Sequence, residues 1–250
     1  MWWSMFLNLL GLTPQSSQPG ESAQKDLTTS LRFVRSNTAR SVALRVDPAR
    51  GKICLVVPKR MSERRAWEFA ASNTEWIALQ LAKMHKPVPF VDGAVIPIFG
   101  INRTLRFVAT TSRSTEFKLT DRELIVTTKR EDPSTNIKNY LCDLLESIIL
   151  PMAQEKAATI GRKVPELQLR DTRARWGSCS PEGKLMFCWR LVFTPMNVVD
   201  YIVSHEVAHL KHMNHGQRFW ALCEKLSEDF ESRFWLKANG EKLLQYGQKG

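Results

Sequence analysis

Four of the chain's five histidines fall between His205 and His215, and the first two open the string His205-Glu206-Val207-Ala208-His209. This pattern constrains the local fold, because side chains four residues apart share one face of an α-helix, about one turn along the axis. The preceding run Val198, Val199, Ile202 and Val203 has the apolar spacing of such a helix, and Pro195 suits its first turn. His205 and His209 would then direct two imidazoles at a single ion. Glu206 points about 100° round the axis, where it reaches a metal-bound water without ligating the metal. Hydrolysis needs this division of labour. Zinc lowers the pKa of its water toward about 7 and polarises a carbonyl, and Glu206 takes the water proton and later delivers it to the leaving amine.

Three protein ligands would leave a fourth zinc position open for water. On a straight helix His212 would lie about 10 Å along the axis from His205, too far to share its ion. His212 is therefore read as a supporting or helix-ending residue. His215 is the favoured third ligand, on the expectation that the helix ends near Asn214, a residue tolerant of the left-handed conformation, and the chain turns back. Glu224 and Glu228 remain alternatives for a His2Glu set. The spacing also approaches the metzincin string HExxHxxGxxH, but His212 stands where the glycine should be, and a Cβ there makes a left-handed turn cost about 1 to 2 kcal/mol.

The rest of the chain reads as α+β. Residues 1–30 comprise an apolar segment, Met1 to Leu12, and a Pro/Ser/Gln-rich linker. Residues 31–133 form a β-rich region with one helix. A hairpin of Ser41–Val46 and Lys52–Val57 turns at Asp47 to Gly51, a helix capped by Ser62 runs to about Lys86, and further strands lie at 95–98, 104–109, 116–119 and 123–128. Residues 134–245 are the catalytic region. It begins with a long helical pattern over 136–161 that Pro151 interrupts, either as a kink or as the start of a second helix. Two strands follow, Leu167–Cys179 and Lys184–Phe193, joined by Ser180-Pro181-Glu182-Gly183.

The net charge is +11, with most of the basic surplus in residues 31–150. Arg32, Arg35, Arg40, Arg45, Arg50, Lys59 and Arg60 make nucleic acid a candidate partner of that region. The five cysteines form no CxxC pair, which argues against a disulfide framework and for a reducing, cytoplasmic setting. Met1 to Leu12 has no basic residue ahead of its apolar run and is too short to span a bilayer at about 20 residues, so it reads as core packing, disorder or weak interfacial membrane contact.

Several strings taken together resemble the YgjP-like metallopeptidases, a group related to the SprT-like and WLM zinc proteases. They are Arg175-Trp176-Gly177-Ser178-Cys179-Ser180, Trp189-Arg190-Leu191-Val192, His205 to Leu210, Asn214-His215 and Phe219-Trp220. The resemblance covers residues 140–240, and more loosely the stretch upstream through Val57-Pro58, Trp76-Ile77 and Asp92-Gly93. It implies a zincin-like metallopeptidase domain holding one zinc at His205, His209 and His215, with Glu206 as general base and a peptide or protein as substrate. The Arg175 to Ser180 strand would lie beside the active-site helix and accept an extended peptide by strand addition, which makes Arg175 and Trp176 candidate substrate-binding residues. Cys179 reads as a small buried hydrophobe rather than a nucleophile.

Overall fold

The computed structural model describes residues 31–47, 52–83 and 87–247. The apolar segment 1–12, its proposed membrane contact, the linker and the turn residues 48–51 lie outside them. The described residues form two compact units, 31–83 and 87–247, each with its own core.

The first unit is a sheet with two helices on one face. Strands β1 (Leu31–Ser36), β2 (Ala43–Asp47) and β3 (Lys52–Pro58) run in the order β1-β3-β2, with β3 parallel to β1 and antiparallel to β2. Strand alternation puts Leu31, Ile53, Leu55 and Val57 in a core with Ala66 and Ala70 of α1 (Glu63–Ala71) and Ile77 of α2 (Thr74–Lys83). Ser62 caps α1 as expected, accepting from the Arg65 N–H. The one helix expected over 62–86 is nevertheless two. Ser72 Oγ and Asn73 Nδ2 both donate to the Phe69 carbonyl, and such short polar side chains compete with the helical ladder for its acceptors.

The second unit opens with β4 (Val95–Ile98), β5 (Ile101–Ala109), β6 (Glu116–Leu119) and β7 (Glu123–Thr128), ordered β4-β5-β7-β6. Sequence reading groups these strands with the N-terminal region. In the fold Ile96, Leu105, Leu124 and Val126 share a single core with the helices that follow, so the compact unit begins upstream of β4 and not at residue 134. Helix α3 (Ser134–Thr159) runs unbroken through Pro151, which sits on its exposed face, while Ile137, Leu141, Leu145, Ile149, Ala153 and Ala157 form its buried stripe.

Strands β8 (Leu167–Arg170), β9 (Gly177–Cys179) and β10 (Leu185–Cys188) form a second sheet in the order β8-β10-β9, which leaves β9 at an edge. Two expected strands are shorter than their apolar runs suggest. Residues 171–176 leave the sheet between β8 and β9, and Trp189–Phe193 is a 3-10 helix with all five side chains buried. A run buried all round has no period by which to tell strand from helix. The remaining elements are α4 (Met196–His209), α5 (Gln217–Leu226), a 3-10 turn (Phe230–Ser232) and α6 (Arg233–Leu243).

The β4–β5 turn fixes the start of α4. Gly100 has φ +80°, and a Cβ there would stand 3.0 Å from the Cα of Pro195, the residue that precedes α4. No helix among the described residues is long and apolar enough to cross a membrane.

Candidate metal centre

Helix α4 is buried on nearly every side, which accounts for its almost continuous apolar sequence. It places His205 and His209 one turn apart, as their spacing requires. The helix ends at His209, earlier than expected. His212 N–H donates to the Ala208 carbonyl at 3.0 Å and Gly216 N–H to the Asn214 carbonyl at 2.8 Å. The chain therefore doubles back without a left-handed residue at His212 or Asn214, and the metzincin turn is not used.

This short return brings His215 to the other two histidines. One ligand nitrogen from each of His205, His209 and His215 lies within 4.8 Å of the others, and His215 Nε2 stands 3.1 Å from His205 Nε2. Nitrogens bound to a tetrahedral zinc at about 2.1 Å are about 3.4 Å apart, so the spacing fits one shared ion. Glu224 and Glu228, the alternatives for the third position, are not part of the cluster. The Glu228 backbone N–H instead donates to Asp200 Oδ2 at 2.9 Å.

The donors are chemically prepared for a metal. His209 Nδ1–H donates to the His212 carbonyl at 3.0 Å, which leaves Nε2 unprotonated. The supporting role expected of His212 is thus carried by its backbone. His205 Nδ1 is buried without a hydrogen-bond partner, so the protein does not fix that ring's tautomer. Burial first, and then the neighbouring His209 and His215, pull the His205 imidazole down to about 4. Burial also lowers His209. Both rings are therefore neutral near pH 7, the form that ligates.

Glu206 is buried beside this cluster, and burial pushes its carboxyl up to about 8 against the opposing charge of Arg175. Gly177 of β9 packs directly on it, and a Cβ at that position would stand 2.5 Å from Glu206 Oε1. The glycine of the Arg175 to Ser180 string is required by close approach to this carboxylate. Arg175 is exposed, and its charge is felt at Glu206. Trp176 turns away from it, with its indole over Gly240 of α6, where a Cβ would meet Cζ2 at 3.1 Å. That contact gives Trp176 a packing role against α6. Arg190 is buried and pairs with Asp171. Burial, then Glu206, raises the Cys179 thiol to about 11, which matches an inert thiol.

Two features escape sequence reading. Phe219 of α5 lies against all three imidazoles, with ring centroids 4.4 to 4.9 Å away, and backs the cluster with apolar surface. Asp200, one turn before Ser204 on α4, is buried and pairs with Lys156 at 2.6 Å. An acidic residue within the apolar run Val198 to Val203 was the available signal for this pair.

An α+β unit that sets a metal-competent histidine triad beside a buried carboxylate and an open sheet edge has the makings of a metallopeptidase domain. The family comparison agrees, since the description YgjP-like, metallopeptidase domain matches residues 40–239, and the chain belongs to the YgjP-like family. Neither the curated proteins nor the solved structures yield a match.

Proposed function

We propose that the chain is a zinc-dependent metallopeptidase that hydrolyses peptide bonds by water attack, with His205, His209 and His215 as ligands and Glu206 as general base. The observation that carries this reading is the convergence of three imidazoles next to the buried Glu206 side chain. Held there, a zinc ion would supply Lewis acidity, acidifying water and polarising the scissile carbonyl. The charge of that ion would oppose the effect of burial and favour the ionised Glu206, which then accepts the proton of the attacking water and delivers it to the leaving nitrogen as the carbon–nitrogen bond breaks. Gly177 leaves the carboxylate room to do so while holding it in place. The edge strand β9 offers main-chain hydrogen bonds to an extended peptide, and the exposed Arg175 just before it is a candidate substrate contact. Purified wild-type protein is expected to carry one zinc per chain and cleave peptides, and Glu206→Gln to keep the zinc and lose cleavage. Turnover that survives the substitution rules out Glu206 as the base.

A second reading, association with nucleic acid, draws on the first unit. Arg32 of β1 and Arg45 of β2 both register against Cys54 of β3, on the sheet face opposite α1 and α2, and both are exposed. Titration with duplex and single-stranded DNA tests it. Affinity that falls steeply with salt and is weakened in Arg32→Glu/Arg45→Glu supports it, whereas no association at low ionic strength excludes it.

A further inference from the structure

The proposed ligand imidazoles border on an aromatic surface whose outer rings, Trp220 and Phe234, are not part of the core. On α5 the buried side chains are Phe219 and Cys223, one turn apart, and Trp220 stands about 100° round from Phe219. Its indole is 38% exposed although it lies 5.5 Å from the His215 ring and 5.8 Å from the His205 ring. The surface continues to Phe230, 6.3 Å from Trp220, and to Phe234, which is 54% exposed. Arg233 stacks over both phenylalanines, at 4.0 and 4.6 Å, and pairs with Glu231 at 3.1 Å. Its charge is paired with Glu231, and Trp220 and Phe234 remain the exposed rings of the wall.

Large exposed aromatics grouped in one patch mark a binding surface more often than isolated ones do. This patch begins at the metal ligands. A residue flanking the scissile bond must bring its side chain within a few ångströms of that point, because its own carbonyl or nitrogen is what reacts. We propose that Trp220, extended by Phe230 and Phe234, is a specificity subsite that takes a large apolar side chain, aromatic or branched aliphatic, from the substrate residue next to the cleaved bond. This rests on the peptidase reading above. It adds the class of substrate, namely chains with a bulky hydrophobic residue at the cleavage point.

The test uses the full-length, zinc-loaded protein and a randomised peptide library read for cleavage sites by mass spectrometry. Wild type is expected to favour Phe, Leu, Tyr or Met over Ala about tenfold or more at one position flanking the cut, the range that one well-filled apolar pocket supplies. In Trp220→Ala the ratio is expected to fall below about threefold with bound zinc unchanged, and Phe234→Ala, at a surface position, is expected to reduce it in part. A second readout needs no turnover. Phenylalanine hydroxamate should bind the zinc protein about tenfold more tightly than alanine hydroxamate, and Trp220→Ala should erase the difference. If wild type cleaves nothing but the hydroxamate difference is present and depends on Trp220, the peptidase reading fails and the subsite stands. Equal hydroxamate affinities in wild type, a preference for acidic side chains, or selectivity unchanged in both variants overturns the subsite. Should Trp220→Ala lose its zinc, Phe234→Ala decides, and undiminished selectivity there counts against the proposal.

Discussion

Gly177 is the residue on which the catalytic geometry turns. It is not in a left-handed conformation, and what it lacks that matters is a side chain, because any Cβ would press on the Glu206 carboxylate. Gly177→Ala must therefore move either β9 or Glu206, the proposed general base. A displacement of about 1 Å at a reacting group costs on the order of a hundredfold in rate. We expect kcat to fall by about that factor while zinc content is kept, since the three atoms nearest to an added Cβ all belong to Glu206; steady-state kinetics beside metal analysis checks this. Asp171 makes a prediction about acid stability instead. Burial opposes its ionisation, but hydrogen bonds and charge from Lys138 and Arg190 outweigh burial and hold its carboxyl below the usual carboxylate range. A depressed carboxylate contributes stability above its unfolded pKa and loses it as pH falls through the folded one. Asp171→Asn should therefore lower Tm near neutral pH and flatten the drop in Tm expected of wild type below about pH 4.

At the scale of elements, the site depends on how α4 is held between α3 and α5. Lys156 of α3 pairs with Asp200 of α4 and also donates to the Leu226 carbonyl at 2.6 Å, which Ser204 Oγ reaches at 3.0 Å. One buried network thus fastens the end of α5 to the helix that bears two of the proposed ligands and the proposed base. Both charged side chains are shielded, at 14% and 4% exposed, so removing one leaves the other buried without its counter-charge. Asp200→Ala is expected to cost about 3 to 5 kcal/mol in denaturant unfolding, and the apolar double variant Lys156→Met/Asp200→Leu to recover most of it. The position of α4 was legible in the sequence because its histidines and apolar residues share one helical period. Its end was not, since the residues that stop it, Leu210 to Asn214, include neither a glycine nor a left-handed residue and carry no compositional mark. The 3-10 helix at Trp189–Phe193 and the short strand β9 were hidden for a related reason. The first is buried on every side, and the second spans three residues, too few to show alternation. Of the site itself, the three histidines and Glu206 were readable from spacing, whereas the contact of Gly177 with Glu206 and the Lys156–Asp200 pair join residues far apart in the chain.

For the whole molecule, the division into two units predicts where the loss of metal would be felt. Two of the proposed ligands lie on α4, but His215 lies in the return between α4 and α5, so a bound ion would cross-link that return to the helix. Ligand binding stabilises the folded state by RT ln(1 + [L]/Kd), and locally that stabilisation falls on the elements the ion joins. The first unit has a separate core and supplies none of the three histidines. Removing zinc with 1,10-phenanthroline should abolish peptide cleavage and raise amide hydrogen exchange over residues 210–220, while exchange in residues 31–83 stays as it was. Restoring zinc should reverse both changes. Increased exchange throughout 31–83 on chelation would mean that the first unit depends on the metal for its stability, and the independence of the two cores would have to be given up. Exchange unchanged over 210–220, with cleavage lost, would mean that His215 contributes little to holding the ion.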